Sequence, residues 1–438
     1  MLVVISDLHF QDTVNDTITD ENNNPVTVDR NVSPDAFKEV FEEILTTADG
    51  NEAQELIIIL AGDIFDLNRS QKWLRSPIRP YGEHSPDEWY PVADEILQDI
   101  IKSNDKAFNI FKEFAGKKLK NGRQVVLQYL PGNHDRLINL HPGLRKRAKA
   151  ELLGQSNPDD AEFDHVYRST EYGVLIRHGH EYDGSNFAGA IPEKGVFKVD
   201  PADYALAPLG DYATIDIAAG LAFEYRKLHE EDIKEGDQVH RAIYCKLLEF
   251  DDLRPQSDMI DFLQAKTGDD IDVWKYLSPA ADSVVTKALN SKFLRSKLGA
   301  WGKIIPLAKW LPIKLLPAKF IIKLISSMHS EGPKPWQYAA REETLSASAG
   351  RYVVAGHTHS PCVEFLKRRD NDGKELFFFD TGTWRQQIRK CQDCETFARA
   401  KALTYVVFYS SQEDQHHTTG QKGYSFDYWS GFTKKEIM

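Results

Sequence analysis

Short apolar runs recur along the chain, and each is followed by glycine or by polar and charged residues. The runs from Leu2 to Ser6, from Leu56 to Leu60 and from Val125 to Leu130 are rich in leucine and β-branched residues, as buried parallel strands are. The same pattern predicts later strands at Val174 to Arg177, Tyr352 to Ala355, Leu376 to Phe379 and Leu403 to Tyr409. These runs are the strands of a predicted sheet.

Helical patterns alternate with the first of these strands. Ser33 and Pro34 predict the start of a helix, because serine caps a helix N-terminus and proline fits its first position. Two further helices are predicted near 87–103 and 105–118. Residues 11–32 are rich in Asp, Asn and Thr, which predicts an exposed loop. The order of strand, helix and strand predicts an α/β fold.

The pattern changes between about residues 186 and 345, where strand signals fade and helical signals take over. The interpretation is a discontinuous α/β core of residues 1–185 and 346–438, interrupted by a mostly helical insertion of residues 186–345. No internal repeat or low-complexity tract indicates a further division of the chain.

Charge and cysteine content narrow the functional classes. The 438 residues carry a formal net charge of -12, which argues against a protein that coats DNA or another polyanion. A small anionic substrate stays open, because bound metal ions supply their own positive charge. The 4 cysteines are too few for a disulfide scaffold. Neither a signal peptide nor a membrane-spanning segment is predicted, so the expected location is the cytoplasm.

The cysteines offer one alternative site. Cys391 and Cys394 have the spacing of a zinc knuckle, but a structural zinc ion needs two more ligands. Cys245 and Cys362 are not paired at close spacing. The favoured interpretation of Cys391 and Cys394 is therefore a pair of ordinary reduced thiols.

Five clusters of polar residues carry the candidate chemistry, and most of them directly follow a predicted strand. In chain order they are Asp7-Leu8-His9, Gly62-Asp63-Ile64-Phe65-Asp66, Gly132-Asn133-His134-Asp135, His178-Gly179-His180 and Gly356-His357-Thr358-His359. The carboxyl ends of parallel strands face the ligand crevice of an α/β sheet, so these loops can converge although they lie far apart in sequence. Their carboxylates, amide oxygen and imidazoles suit Mn, Fe, Zn or a similar divalent ion.

The clusters closely resemble the calcineurin-like metallophosphoesterase family, whose motifs are DxH, GDxxD, GNH followed by Asp or Glu, an HG-containing motif, and GHxH. All five occur here in that order, over roughly residues 1–185 and 346–410. One such motif is weak support, whereas five in register are specific. The resemblance implies an αββα sandwich core and a hydrolase of phosphoric esters or anhydrides that uses two divalent metal ions.

The resemblance also implies roles for individual residues. It assigns one ion to Asp7, His9, Asp63 and His359, and the other ion to Asp63, Asn133, His178 and His357. Asp63 would bridge the two ions, and a water between them would attack phosphorus in line. His134 would contact the phosphoryl group and protonate the leaving oxygen, and Asp135 would orient His134.

Two further side chains are predicted to contact the substrate. Arg69 follows the second motif and is the preferred partner of a substrate phosphate, ahead of the other basic residues of this loop. His180 follows His178 by two residues, and its position is compatible either with substrate contact or with a place behind the ligands. Asp66 is expected to fix its loop by hydrogen bonding rather than to bind metal.

Residues 283–330 carry a net positive charge, opposite in sign to the net charge of the chain. They contain nine Lys or Arg and no Asp or Glu, interleaved with Trp, Leu, Ile and Phe. Basic residues among Trp and Leu are typical of a segment at a membrane interface, so peripheral contact with an anionic membrane is one interpretation. The favoured interpretation is a helical cap that buries its apolar side and selects an amphiphilic, phosphate-bearing substrate.

Two other functions stay open. A nuclease is the alternative within enzymes, but the acidic balance of the chain gives no strong nucleic-acid signal. A non-catalytic interaction scaffold of the same fold is expected to lack metal ligands or the histidine of the GNH motif. This chain keeps His134 together with the whole set of candidate ligands, which favours an enzyme.

Overall fold

The computed structural model of the protein describes residues 1–12, 15–19, 25–27, 31–254, 258–265, 272–297, 333–346, 350–393, 395–410, 412–413 and 425–433. Its strands are β1 (Leu2–Ile5), β2 (Asn15–Thr19), β3 (Pro25–Thr27), β4 (Leu56–Ala61), β5 (Val125–Leu130), β6 (Val166–Ser169), β7 (Val174–Arg177), β8 (Tyr352–Ala355), β9 (Cys362–Arg368), β10 (Glu375–Asp380), β11 (Gln386–Lys390), β12 (Phe397–Tyr409) and β13 (Ser425–Thr433).

The α-helices among the described residues are α1 (Pro34–Gly50), α2 (Lys72–Arg75), α3 (Pro86–Ser103), α4 (Asp105–Ala115), α5 (Leu137–Leu140), α6 (Pro142–Leu153), α7 (Leu209–Tyr212), α8 (Gly220–Leu228), α9 (Glu230–Glu235), α10 (Gln238–Leu248), α11 (Met259–Gln264), α12 (Val273–Asn290), α13 (Lys292–Lys297) and α14 (Pro335–Ala339). Short 3₁₀ turns cover His180–Tyr182, Pro201–Ala205, Phe250–Asp252 and Glu343–Ser346, and a π-helical segment, Ala213–Ala219, joins α7 to α8.

The first sheet contains three adjacent parallel strands. β1 pairs with β4 and β4 pairs with β5, so that Val3 lies beside Ile58 and Ile58 lies beside Leu127. The antiparallel strand β12 pairs with the other edge of β1 and is flanked by β11 and β13. The loops that follow β1, β4 and β5 therefore leave the sheet at the same edge.

The second sheet has the order β6, β7, β8, β10, β9. Its three inner strands are parallel, with Ile176 beside Val354 and Val354 beside Phe379. β6 and β9 are antiparallel strands at the two edges. The loops that follow β7 and β8 consequently also leave from one edge.

The two sheets pack face to face, because side chains alternate across each strand. Val4 and Ile59 of the first sheet share a buried apolar cluster with Val354 of the second sheet. Ile58 points the other way and packs in a core with helices α1, α3, α4 and α6. Val353 points to the outer side of the second sheet, where α14 contributes to a third cluster. The predicted αββα sandwich is confirmed.

The helices on the first sheet begin where the sequence places them. Ser33 caps α1, because its Oγ accepts a hydrogen bond from the backbone N–H of Asp35 at 3.3 Å. α3 begins with a capping box, in which the backbone N–H of Ser85 donates to Oε2 of Glu88 at 2.7 Å. Helices α3 and α4 confirm the predictions near 87–103 and 105–118.

Helices dominate the chain between β7 and β8. In the described residues of this stretch there is no strand, although isolated bridges join Phe197 to Glu342 and Leu253 to Ile388 of β11. α8 packs against α10 and α12. The boundaries 186 and 345 of the insertion remain a prediction.

Several strands were not predicted. The loop expected at 11–32 contains the hairpin β2 and β3, in which Asn15 pairs with Thr27. β6, β9, β11 and β13 were also missed. β9 lies at a sheet edge and has only half-buried and exposed positions. Such a strand lacks the continuous apolar run that predicts a buried one.

Some predicted features lie outside the described residues. They include Cys394 and the part of the basic stretch 283–330 that follows residue 297. Cys245, Cys362 and Cys391 form no disulfide within the described residues. Among the helices described, none combines the length and apolar character needed to cross a membrane.

Candidate metal centre

The loops that follow β1, β4, β5, β7 and β8 bring the predicted ligands together. Their side chains form overlapping groups, in each of which the candidate ligand atoms lie within 4.8 Å of one another: Asp7 with His9 and His359, His9 with Asp63 and His134, and Asp63 with His178 and His357. Every carboxylate and histidine that was predicted to bind metal belongs to one of these groups. All of these residues are buried except His357, which is half-buried.

The first group surrounds a point between β1 and the loop after β8. The Nε2 atoms of His9 and His359 lie 2.9 Å apart, and Nε2 of His359 lies 3.3 Å from Oδ1 of Asp7. Nε2 of His9 lies 3.6 Å from Oδ2 of Asp63. Ligands bound tetrahedrally at about 2.0–2.1 Å are separated from one another by about 3.3 Å. The spacing of these atoms therefore suits a single cation.

His178 faces two oxygen acceptors, an arrangement that favours positive charge at its Nε2. Its Nδ1 donates to the carbonyl oxygen of Ala61 at 2.9 Å, so the ring's Nε2 lone pair points at Oδ2 of Asp63, 3.1 Å away, and at Oδ1 of Asn133, 3.2 Å away. Burial alone would lower the pKa of His178, but the carboxylates of Asp63 and Asp7 raise it to about 10. A divalent ion bound by Nε2 would balance the negative charge of the same two carboxylates.

Asp183 belongs to the site although sequence reasoning missed it. Its Oδ2 lies 3.2 Å from Nε2 of His357 and accepts a hydrogen bond from Asn186 at 2.7 Å. The side-chain oxygen of Asn186 accepts from Nδ2 of Asn133 at 3.5 Å, which turns Oδ1 of Asn133 towards His178. The available signal was the sequence of the loop itself, where an acid follows the HG motif within a few residues.

Most of the predicted ligands have a strained backbone. The φ angle is positive at Asp7 (55°), His9 (46°), Asp63 (53°), His357 (72°) and His359 (57°). Glu52 is the one other non-glycine residue with positive φ in the described part of the chain. A residue in this region costs about 1–3 kcal/mol and persists only where its surroundings enforce the conformation, which is typical of functional sites. The strain thus coincides with the ligand set.

Glycines allow the ligand loops to approach one another. Gly62 has a φ of 88°, and a Cβ at this position would lie 2.5 Å from the ring of His178. A Cβ at Gly132 would overlap Oδ1 of Asp63, and one at Gly356 would overlap Oδ2 of Asp7. These positions admit no larger residue without displacement of a ligand.

His134 lies beside the ligands with one nitrogen held by a carboxylate. Its Nδ1 lies 2.8 Å from Oδ1 of Asp66, and its backbone N–H donates to Oδ1 of Asp63 at 2.8 Å. Burial would lower the pKa of His134, but Asp66 and Asp63 together raise it above its ordinary value. The bond to Asp66 leaves Nε2 as the ring nitrogen available to a substrate.

The structure corrects the role expected of Asp135. Its carboxylate accepts from the backbone N–H groups of Gly132 at 2.5 Å and Ile64 at 2.8 Å, and it does not hold His134. Asp135 therefore ties the second motif to the third. Asp66 orients His134 instead, because it is the fourth residue of the Asp63 turn and its side chain faces back to the centre. Asp66 also contacts Nδ1 of His9 at 3.3 Å.

The two predicted substrate contacts lie behind the ligands. Nε of Arg69 is 3.1 Å from Oδ2 of Asp66, and its side chain is about nine-tenths buried. His180 is buried between the rings of Phe187 and Tyr204, and burial lowers its pKa to about 3. The contacts of Arg69 support Asp66, and those of His180 place a neutral ring behind His178. Their predicted contact with substrate stays a prediction.

Arg254 was also missed, because it comes from the helical part of the chain and no motif includes it. Its backbone N–H donates to the carbonyl oxygen of Ile388 at 2.9 Å, and its Nη2 donates to Nδ1 of His359 at 2.8 Å. A second contact between the helices and the ligand loops runs through Asp211. Its carboxylate accepts from Arg136 at 2.7 Å and from Asn68 at 3.1 Å.

The turn Asp380–Trp384 supports the first motif. The hydroxyl of Thr383 donates to the backbone oxygen of Asp7 at 2.7 Å, and the backbone N–H of Trp384 donates to the same atom at 3.1 Å. Thr358 of the fifth motif donates to Oδ2 of Asp380 at 2.7 Å. This turn therefore fixes two ligand loops at once.

Comparison with known proteins gives one family. Residues 1–208 match the family model described as calcineurin-like phosphoesterase, a family whose chemistry is metal-dependent hydrolysis of phosphoesters. The match covers the motifs through His178 and ends before His357 and His359, whose place at the centre rests on the geometry above. No curated protein matches the chain at the similarity required of a relative.

Proposed function

We propose that this chain, whose residues 1–208 belong to the calcineurin-like phosphoesterase family, hydrolyses phosphoric esters or anhydrides with two divalent metal ions. The observation that carries the proposal is the overlap of the ligand groups at Asp63 and His9. One carboxylate that lies in two adjacent ligand groups is suited to bridge two ions. The donors are carboxylates, one amide oxygen and imidazoles, which suit Mn, Fe or Zn.

The proposed ligands divide between two ions that share Asp63. One ion takes Asp7, His9, Asp63 and His359, and the other takes Asp63, Asn133, His178 and His357. When bound, the ions would neutralise charge on the phosphoryl oxygens and lower the pKa of a water held between them. The residues around them keep the histidines correctly oriented, as the bond from His178 to Ala61 illustrates.

His134 is the proposed proton donor to the leaving oxygen. The carboxylate of Asp66 fixes its ring through Nδ1 and favours the protonated form. A protonated Nε2 can then donate to the phosphoryl group and give up its proton as the ester bond breaks. The family resemblance gave His134 this role, and Asp66 supplies the orienting contact.

Substrate choice is the proposed task of the helical insertion. The guanidinium of Arg254 only donates, so Nδ1 of His359 must accept in this contact. A His359 that binds an ion through Nε2 must carry its proton on Nδ1, so Nδ1 could no longer accept from Nη2 of Arg254, while Nη1 of Arg254 would still donate to the carbonyl oxygen of Leu253. We propose that Arg254 turns to a phosphate oxygen of the substrate, with which it can form charge-assisted hydrogen bonds.

Metal analysis combined with an activity panel tests the proposed function. Purified protein is expected to hold about two transition-metal ions per chain and, with Mn²⁺, to hydrolyse a generic phosphomonoester or phosphodiester. Asp63→Asn is expected to lose metal and turnover together, whereas Asp87→Asn, at an exposed carboxylate, should lose neither. A wild-type protein that binds no ions and is inactive with every divalent ion would contradict the proposal and favour a scaffold.

The same panel separates the substrate classes. Single-stranded and double-stranded DNA and RNA, a nucleoside diphosphate ester and a phospholipid-like ester presented in micelles should be compared at equal metal concentration. Preference for the amphiphilic ester would support a cap that selects such molecules. Preference for nucleic acid would make the chain a nuclease. Retention on anionic vesicles but not on neutral ones would support peripheral membrane contact.

A further inference from the structure

A second cluster of metal-binding side chains lies in the helical insertion. We propose that His229, Asp232 and His240 bind a divalent transition-metal ion such as Zn²⁺ at a site separate from the phosphoesterase centre. Their candidate ligand atoms lie within 4.8 Å of one another, and no residue of the five strand-end motifs takes part. The ion would join α9 and the residue that precedes it to the first turn of α10.

The distances between the donors fit a small cation. Nδ1 of His229 lies 3.3 Å from Oδ2 of Asp232, and Nε2 of His240 lies 3.7 Å from the same oxygen. Ligands of a tetrahedral zinc ion are separated by about 3.3 Å when the metal–ligand bonds are about 2.0–2.1 Å. Two imidazoles and one carboxylate leave a fourth position for water.

The surroundings of His240 are those of a metal-bound histidine. Its Nδ1 lies 2.8 Å from the hydroxyl of Tyr225, which can accept the Nδ1 proton and leave the Nε2 lone pair facing Asp232. The ring of Tyr276 meets the ring of His240 edge-on at 5.3 Å. A phenol hydrogen bond on one side and an aromatic wall on the other fix the ring and exclude water from part of the site.

His229 and His240 approach the same carboxylate oxygen. Their rings lie 4.1 Å apart, centroid to centroid, and Nδ1 of His229 and Nε2 of His240 both face Oδ2 of Asp232. A cation held by these three atoms would account for the convergence of two imidazoles on one carboxylate.

The local sequence explains how the three donors meet. His229 is the single residue between α8 and α9, and Asp232 lies in the first turn of α9. Gly236 ends α9 with a φ of 96°, and Asp237 then caps α10 by accepting from the backbone N–H of His240 at 2.9 Å. The tight turn folds α10 back so that its first turn lies beside His229.

An ion at this site would rigidify the part of the insertion that reaches the phosphoesterase centre. α8 continues from the π-helical segment and α7, which carries Asp211 to Arg136. α10 leads through Phe250–Asp252 to Arg254, which contacts His359. The ion therefore clamps together the helices from which both contacts extend.

The test uses Co²⁺ as a probe in the full chain, in an Asp63→Asn background that weakens the phosphoesterase centre. That background is expected to keep one tightly bound equivalent of Co²⁺ with the visible absorption of a four-coordinate ion. Adding Asp232→Asn should remove this equivalent and its spectrum. Adding His84→Gln, which alters a surface histidine 3.6 Å from Glu88, should leave both unchanged. Equal Co²⁺ binding in the Asp232→Asn and His84→Gln proteins would overturn the proposal.

Further measurements test whether the variants remain folded and separate the His229–Asp232–His240 site from the phosphoesterase centre. Asp232 is half-exposed, so its substitution should preserve the circular dichroism spectrum, and His240→Gln gives a second ligand variant. With Asp63 restored and Mn²⁺ saturating, Asp232→Asn should retain turnover while losing the rise in melting temperature that Zn²⁺ gives the wild type. Zn²⁺ stabilisation of equal size in both proteins would contradict the site. Failure of the phosphoesterase assay alone would bear only on the proposed function.

Discussion

The strand-end loops and the helical insertion contribute to one centre in different ways. In the loops, the ligands sit on short, buried turns whose backbones are strained and held by hydrogen bonds, as at Asp7 between Thr383 and Trp384. The insertion contributes single long side chains, such as Arg254, at the ends of helices. This difference is consistent with the proposal that the loops hold the metal ions, whereas the insertion selects the substrate.

The largest effect should come from closing the space between two ligand loops. Gly62→Ala places a methyl group 2.5 Å from the ring of His178, so we expect loss of metal and of nearly all activity. Gly82→Ala is the matched control, because Gly82 has a similar φ of 83° with open space around it. Both variants carry the cost of a left-handed alanine, about 1–2 kcal/mol. Equal activity in the two variants would show that the loops do not need this close approach.

The next effect separates proton transfer from metal binding. His134→Ala should lower kcat by about 10²- to 10⁴-fold, the usual contribution of a general acid, while metal content stays at the wild-type level. Asp66→Asn should lower kcat in the same assay, because Asp66 holds Nδ1 of His134. Metal loss from the His134→Ala protein equal to that from Asp63→Asn would instead make His134 a ligand.

A smaller effect on activity is expected from a substitution in the helical insertion. Arg254→Gln should raise KM for a phosphate ester by about 10- to 150-fold, because one charge-assisted hydrogen bond contributes about 1.5–3 kcal/mol, and it should leave metal content unchanged. Arg123→Gln, at an exposed arginine on the approach to β5, is the control. A loss of metal in Arg254→Gln would place Arg254 among the residues that build the centre and would remove the distinction between the two regions.

The same comparison explains what could be predicted from sequence. Ligands such as Asp7 and His357 were predictable, because a buried strand precedes each one and its motif has fixed spacing. The contact from Arg254 was not, since it depends on how the helices pack and on the bridge between Leu253 and Ile388. The family resemblance assigned Asp135 to His134, whereas the turn from Asp63 brings Asp66 to that ring.

The smallest effect tests whether backbone strain is confined to the loops. At His359, where φ is 57°, glycine relieves the clash of Cβ with the backbone. In chelated protein, His359→Gly should therefore be more stable than His359→Ala by about 1 kcal/mol, measured by urea unfolding. The matched pair His240→Gly and His240→Ala, in a helix of the insertion, should show the opposite order, because glycine weakens a helix by about 1 kcal/mol. The same order at both positions would mean that the ligand loops carry no more strain than the insertion. The expected reversal would show that the fold accepts a less stable backbone at His359, where the predicted ligands converge, and not at His240.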